Sequence, residues 1–205
     1  TSSRIWSVVL LQILMSCAEC WMKLKENATH QWGTGTEQYY AKEDGVDYAV
    51  SGGFDLIVTH HPFIFKPLSK ITDENYRIIK KFMENGISVL SYHTRLDSAD
   101  GGVNDVLAET LGLENIVPFG GETENIGRMG SLEKEMTQNE FAYLLKEKLG
   151  CDIRCAVNEE KTVKSVAVVG GAGKDYIFEG ISMGADAFVT SEVPHHLFIA
   201  AREMG

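Results

Sequence analysis

The chain has 205 residues, 44% of them hydrophobic and 23% charged, with a formal net charge of −10. A chain of this length folds as one large domain or two small lobes and buries roughly 70% of its unfolded surface. The acidic balance works against nucleic acid and anionic membranes as partners, and no uninterrupted apolar run reaches the ~18 residues of a membrane span.

Ile5 to Cys17 is mostly apolar and follows Arg4. Its end, Leu14-Met15-Ser16-Cys17, loosely resembles a lipoprotein signal, but a single arginine is a poor basic region and Gln12 interrupts the apolar stretch. A buried first helix is the expectation here. Cys17-Ala18-Glu19-Cys20 has the spacing of a redox or zinc pair but lacks a Gly-Pro type of centre and a second pair at zinc-ribbon spacing. Together with Cys151 and Cys155, which flank the apparent start of a strand at Asp152-Ile153-Arg154, these cysteines read as small buried hydrophobes in a reducing compartment. Cytoplasmic location is the corresponding expectation.

Val46 to Ser51 reads as a short helix stopped by Gly52-Gly53, and Phe54 to Thr59 as a buried strand with one acid at its entrance. Asp73 to Asn85 is an amphipathic helix with Tyr76, Ile79 and Phe82-Met83 on one face, ended by Gly86. Ile87 to Tyr92 is the next strand, and Val103, Val106-Leu107 and Leu111 repeat at helical spacing up to Gly112. This strand–helix alternation predicts a parallel sheet. A second block follows: a glycine-broken segment at Gly127 to Leu132, then a helix capped by Thr137 and closed by Gly150. After it come a strand at Val163 to Val169, a helix at Tyr176 to Met183, a strand at Ala187 to Thr190, and a last helix from Leu197.

The two blocks echo each other. Gly53-Phe54-Asp55-Leu56-Ile57-Val58-Thr59-His60 is matched by Gly184-Ala185-Asp186-Ala187-Phe188-Val189-Thr190-Ser191. The fold class is therefore α/β: two similar α/β lobes, residues 1–115 and 116–205, forming one compact unit with a metal site in the cleft between them. Chance recurrence of a common helix–glycine–strand junction is the competing account of the echo.

The chemistry gathers where strands end. In an α/β fold, ligands collect at the carboxyl ends of parallel strands. The strand at 54–59 leads into His60-His61-Pro62, and the strand at 87–92 into His93-Thr94-Arg95-Leu96-Asp97. Neighbouring residues of a regular strand point to opposite faces, so both imidazoles reach one site only if the strand stops there. Pro62 supports that by removing a donor and keeping His61 extended. Two such histidines suit a pair of ions about 3.5–4 Å apart. Hydrogen-bonded core or surface histidines are the alternative. In the loop expected after Tyr92, Asp97 could bridge two cations and His93 could be a further ligand or a proton carrier; Asp97, Ser98 or Asp100 could instead cap the next helix.

Gly170-Gly171-Ala172-Gly173 could cradle a phosphate on backbone amides, but it fits neither a Walker nor a dinucleotide pattern, and a plain tight turn is the better reading. Ser191-Glu192-Val193-Pro194-His195-His196 offers a second histidine pair, read as packing against the last helix. There is no Gly-x-Ser-x-Gly elbow, and hydrolysis by metal-activated water is the chemistry these residue types support.

Taken together, Asp55-Leu56-Ile57-Val58-Thr59-His60-His61-Pro62, Phe65-Lys66-Pro67-Leu68, His93-Thr94-Arg95-Leu96-Asp97, Gly101-Gly102-Val103-Asn104-Asp105, Gly127-Arg128-Met129-Gly130, Val166 to Gly171 and Gly184-Ala185-Asp186-Ala187 resemble the Nif-three-like family (Ngg-one-interacting factor three), often labelled GTP cyclohydrolase 1 type 2 homologs. The resemblance covers about Val46 to Gly205. It implies two similar α/β lobes, a dinuclear divalent-metal site (zinc, iron, manganese and magnesium not being distinguished) and a toroidal homohexamer. It implies His60, His61 and Asp97 as metal ligands and His93 as an adjoining site residue able to carry a proton. The implied function is metal-dependent hydrolysis of a small nucleotide-like or phosphorylated compound; the alternative is a non-catalytic metal-binding scaffold acting through an oligomeric ring.

The chain departs from the family pattern twice. Ala18-Glu19-Cys20-Trp21 fits the start of an early Trp-Asp-Asn-x-Gly segment, but Met22 to Gly45 does not continue it. A Gly-His-x-x-x-Glu ligand pair near the family's C-terminus is not reached, so we expect a parent protein that continues for some tens of residues and carries those two ligands.

Overall fold

The computed structural model describes residues 8–11, 43–121, 124–156 and 161–204. The cysteine pair Cys17–Cys20, most of the apolar N-terminal stretch and most of the divergent Met22 to Gly45 segment lie outside the described residues. The chain divides into two compact units, with the division at His93/Thr94.

The first unit is built on a three-stranded parallel sheet in the order β1-β2-β3, from β1 (Val8–Leu11), β2 (Leu56–Thr59) and β3 (Ser88–Ser91). Val8 to Leu11 thus forms a strand, not the buried first helix expected there; the β-branched Val8-Val9 pair matches the pleated surface beside Leu56-Ile57 better than a helix. Two helices complete this unit, α1 (Glu43–Ser51) and α2 (Asp73–Asn85). The second helix has the bounds its pattern predicts. Thr72 caps it by accepting from the Asn75 amide at 3.2 Å, and Gly86 ends it at φ 64°, its amide donating to Phe82 O. The core joins Val46 and Ala49 of α1, Ile57 of β2, Ile78 of α2 and Ile87.

After α3 (His93–Ser98), the second unit holds α4 (Val103–Thr110), β4 (Glu114–Phe119), β5 (Gly127–Thr137), α5 (Gln138–Leu149), β6 (Thr162–Val168), a 3-10 turn (Gly173–Tyr176), α6 (Ile177–Ser182), β7 (Ala187–Val189) and α7 (His195–Met204). Its sheet runs β4-β5-β6-β7, antiparallel except for the parallel β6–β7 pair. Both units are therefore α/β, but the first sheet is wholly parallel and the second is mixed. Helix α4 belongs to the second unit because Val106, Leu107 and Leu111 share a core with Phe141, Leu145, Val163 and Val166. This places the division ahead of the 115/116 boundary read from the sequence.

Three local expectations change. The glycine-broken stretch at 127–132 opens an eleven-residue strand. A Cβ on Gly127 would lie 2.5 Å from the Phe119 ring, so its glycine makes room for a core aromatic rather than breaking the sheet. Strand β4 had no signal in the sequence because Pro118 argues against a strand; the strand lies at the sheet edge, where a missing donor is tolerated. Asp152 to Arg154, read as the start of a strand, adopts no regular structure, and Cys151 is half-buried while Cys155 is exposed. Among the described residues, no helix is long and apolar enough to cross a membrane.

The echo between the blocks has a local counterpart. Gly53 and Gly184 both take positive φ, 66° and 89°, before strands that pair in parallel with a neighbour. Asp55 O accepts from Ser88 N, and Asp186 N donates to Ser165 O, tying each entrance to the adjacent strand.

Candidate metal centre

The parallel pairing of β2 and β3 assembles the histidines. Thr59 is registered against Ser91, and the ladder continues beyond both strands: Tyr92 N donates to Thr59 O at 3.1 Å, and His93 N to His60 O at 2.9 Å. The residues immediately after two adjacent parallel strands are therefore held side by side. Ser91 Oγ lies 3.3 Å from His61 O, to which it can donate, and 2.6 Å from Thr59 Oγ1, so the two hydroxyls are hydrogen-bonded to each other below the histidines. This relay fixes the backbone of the His60-His61 step from the floor of the sheet.

The three rings converge. Centroids lie 4.8 Å apart for His60–His61, 5.3 Å for His60–His93 and 5.2 Å for His61–His93. Each offers a nitrogen, and these atoms lie within 4.8 Å of one another. All three side chains are half-buried. His93 takes φ 33°, in the left-handed region, where an uncommon backbone conformation points to a local demand. Phe65, 70% exposed, stands edge-on to His93 with centroids 6.4 Å apart.

Burial, reinforced by the neighbouring His61 and His93, lowers the pKa of His60 to about 4. Its imidazole is neutral across the physiological range and so presents a lone pair, which is the form that binds a metal. Three converging nitrogens, one already held in the neutral state, could hold a metal ion.

Asp97 lies in the second unit, on α3. The segment expected to be a loop after Tyr92 is helical from His93 to Ser98, because the chain turns at His93 and closes a short helix before Gly101-Gly102. Asp97 is 8% exposed, and burial raises its carboxyl pKa to about 7. None of Asp97, Ser98 and Asp100 caps α4. Its N-cap is Gly102, and Gly101 N instead donates to Asp105 Oδ2 at 2.6 Å.

The other candidates resolve as architecture. Gly170 N donates to Asn104 Oδ1 at 2.6 Å and Gly173 N to Thr190 Oγ1 at 2.9 Å, so two amides of the glycine-rich turn are committed to the fold. His195 and His196 form the exposed first residues of α7, rather than packing against that helix. The sequence reading missed a buried network around Asn104 and Arg128. Its signal was present only as two short segments of a family resemblance, since its bonds span up to 66 residues.

Comparison with known proteins places this arrangement. A model of the family described as Duf34/NIF3 (NGG1p interacting factor 3) matches residues 40–205. Proteins named GTP cyclohydrolase 1 type 2 homolog from Clostridium perfringens and Streptomyces coelicolor are each 36% identical, over 171 and 172 residues. The alignments cover 80% and 78% of this chain, and the chain spans 65% and 60% of those relatives' lengths. Among solved structures, Staphylococcus aureus protein SA1388 superposes with a TM-score of 0.66 at 27% identity, over 78% of this chain and 68% of that one. A Bacillus cereus protein related to NIF3 gives a TM-score of 0.71 at 22% identity, over 98% and 76%, a likeness of fold. The histidine-bearing strands, the buried network and the mixed sheet all fall within the matched span, and the chain belongs to the Duf34/NIF3 family.

Proposed function

We propose that this protein binds two divalent metal ions and hydrolyses a small nucleotide-like or phosphorylated compound. The observation that carries the reading is the convergence of the His60, His61 and His93 nitrogens at the ends of two paired parallel strands. The nucleotide-like substrate class rests on the relatives' name, GTP cyclohydrolase 1 type 2 homolog.

In this reading His60 and His61 each supply one nitrogen, and Asp97 supplies carboxylate oxygens. A divalent cation, when bound, supplies Lewis-acid polarisation and lowers the pKa of water toward neutrality. His60 needs no deprotonation to act as a donor, because burial already keeps it neutral. The Asp97 carboxyl is disfavoured as an anion in its buried setting, and a nearby cation reverses that preference. His93 stands beside the other two imidazoles as a further donor or as the group that accepts and passes on a proton. The chain acts as a homohexameric ring in this reading.

Elemental analysis of the purified protein and of His61→Ala and Asp97→Ala tests the ligand set. Each variant should lose at least one metal equivalent; full metal in the combined His60, His61 and Asp97 variant rejects it. A metal-supplemented screen of nucleotides and phosphoesters tests the chemistry. Turnover abolished in Asp97→Asn supports hydrolysis, whereas metal binding without turnover leaves the non-catalytic scaffold.

A further inference from the structure

Helix α3, like any α-helix, leaves its final carbonyls without intrahelical partners. Three successive carbonyls at its end are taken by two buried side chains. Asn104 Nδ2 donates to Asp97 O at 3.2 Å, and Arg128 Nη2 donates to Ser98 O at 2.9 Å and Ala99 O at 3.3 Å. Asn104 is 0% and Arg128 3% exposed.

Both side chains are themselves fixed. Asn104 also donates to Ile126 O at 2.6 Å and accepts from Gly170 N, so both of its amide donors are committed and its oxygen is anchored. Arg128 Nη1 donates to Asn125 O and Gly127 O, and its Nε pairs with Asp105. All five guanidinium donors are thereby spent within the protein, which rules out an anion-binding role for this arginine. The turn between α3 and α4 admits no slack either: a Cβ on Gly102 would lie 2.1 Å from Leu96 O.

Burying a guanidinium carries a large desolvation cost, and capping a short helix does not require it. Its distinctive effect is to over-determine the position of the backbone that carries Asp97. We propose that Arg128, Asn104 and Asp105 are positioning residues that hold Asp97 in place for divalent-cation binding. This rests on the reading in which Asp97 is a metal ligand.

The test uses metal-stripped protein titrated with Co(II), followed by calorimetry and by the visible absorption of the bound ion. Arg128→Lys keeps the charge but replaces a planar five-donor fork with three donors on one atom. It should bind Co(II) at least about tenfold more weakly, with an altered spectrum, in the range seen when groups supporting metal ligands are lost. Leu149→Ala, a core change in the same unit bonded to none of these groups, should lose thermal stability yet bind Co(II) as the wild type does. Wild-type affinity and spectrum in Arg128→Lys, or an equal affinity loss in Leu149→Ala, overturns the proposal. Should Arg128→Lys fail to fold, Asp105→Asn takes its place: a several-fold weaker affinity supports the proposal and an unchanged one overturns it. Asp97→Ala separates the two readings. If it binds Co(II) like the wild type, the ligand assignment fails and the positioning role with it; if it alone loses binding, only the positioning role fails.

Discussion

The two units handle polar groups in opposite ways. In the first, three imidazoles meet at the ends of β2 and β3, half-buried, beside an exposed phenylalanine. In the second, the donors of the buried side chains Asn104 and Arg128 are all committed, to backbone carbonyls and, for Arg128 Nε, to Asp105. Saturated donors leave nothing for a ligand and yield rigidity; convergence of imidazole nitrogens offers electron-pair donors and little rigidity of its own. The second unit also has the larger core cluster, running from α4 through α5 and β6. A cluster of candidate donors and a network of committed ones thus have different chemical signatures within one chain.

The contrast can be broken most directly in that core. Leu107 is 0% exposed and belongs to the second unit's cluster. Leu107→Ala should cost about 2–5 kcal/mol in denaturant unfolding, and a loss under 1 kcal/mol would mean the cluster collapses around the gap.

A second test turns on Asp97, read in chelator so that no metal offsets its burial. Its folded pKa, about 7, stands above the ordinary value of 3.8, so the folded state holds the proton more tightly than the unfolded one. The stability this contributes is complete below pH 3.8 and is lost as pH rises toward 7. Asp97→Asn should therefore match the wild type near pH 3.5 and exceed it by on the order of a few kcal/mol at pH 8. Equal stabilities at pH 8 would show that water reaches the carboxylate. His60 has the opposite sign: with its pKa lowered to about 4, neutralising it favours the fold, and that stability drains away as pH falls from 6.5 toward 4.

Smaller effects sharpen the comparison at its edges. Thr137 and Glu140 form a reciprocal capping box at the start of α5, with Glu140 N donating to Thr137 Oγ1 at 3.3 Å and Thr137 N to Glu140 Oε2 at 2.8 Å. Thr137→Ala should cost about 1 kcal/mol by thermal melting. Phe65→Ala, by contrast, should change stability by less than about 0.5 kcal/mol, since the ring is 70% exposed. A larger loss on melting would show that Phe65 is covered in solution.

Local signals served well where one element carried its own instructions. The bounds of helix α2 were legible because its apolar periodicity and Gly86 agree, but its buried face was not. Ile78 enters the core, whereas Tyr76 and Met83, read as part of the apolar face, are exposed because that side of the helix meets no packing partner among the described residues. The bounds of helix α5 were legible through Thr137 and Gly150. Helix α3 was not: it has six residues, opens on a histidine at positive φ, and leans on Asn104 and Arg128 for its final carbonyls.

By itself the sequence determined the α/β class, the strand ends that carry histidine and the type of donor each offers, because these follow from short-range periodicity and residue chemistry. Tertiary structure alone decided that His60 and His93 become neighbours, since that depends on the parallel register of β2 with β3 across some thirty residues. It alone decided that Arg128 ties the Ser98 and Ala99 carbonyls to Asn125, Gly127 and Asp105, because a guanidinium reveals its partners only once the chain has brought five acceptors to it.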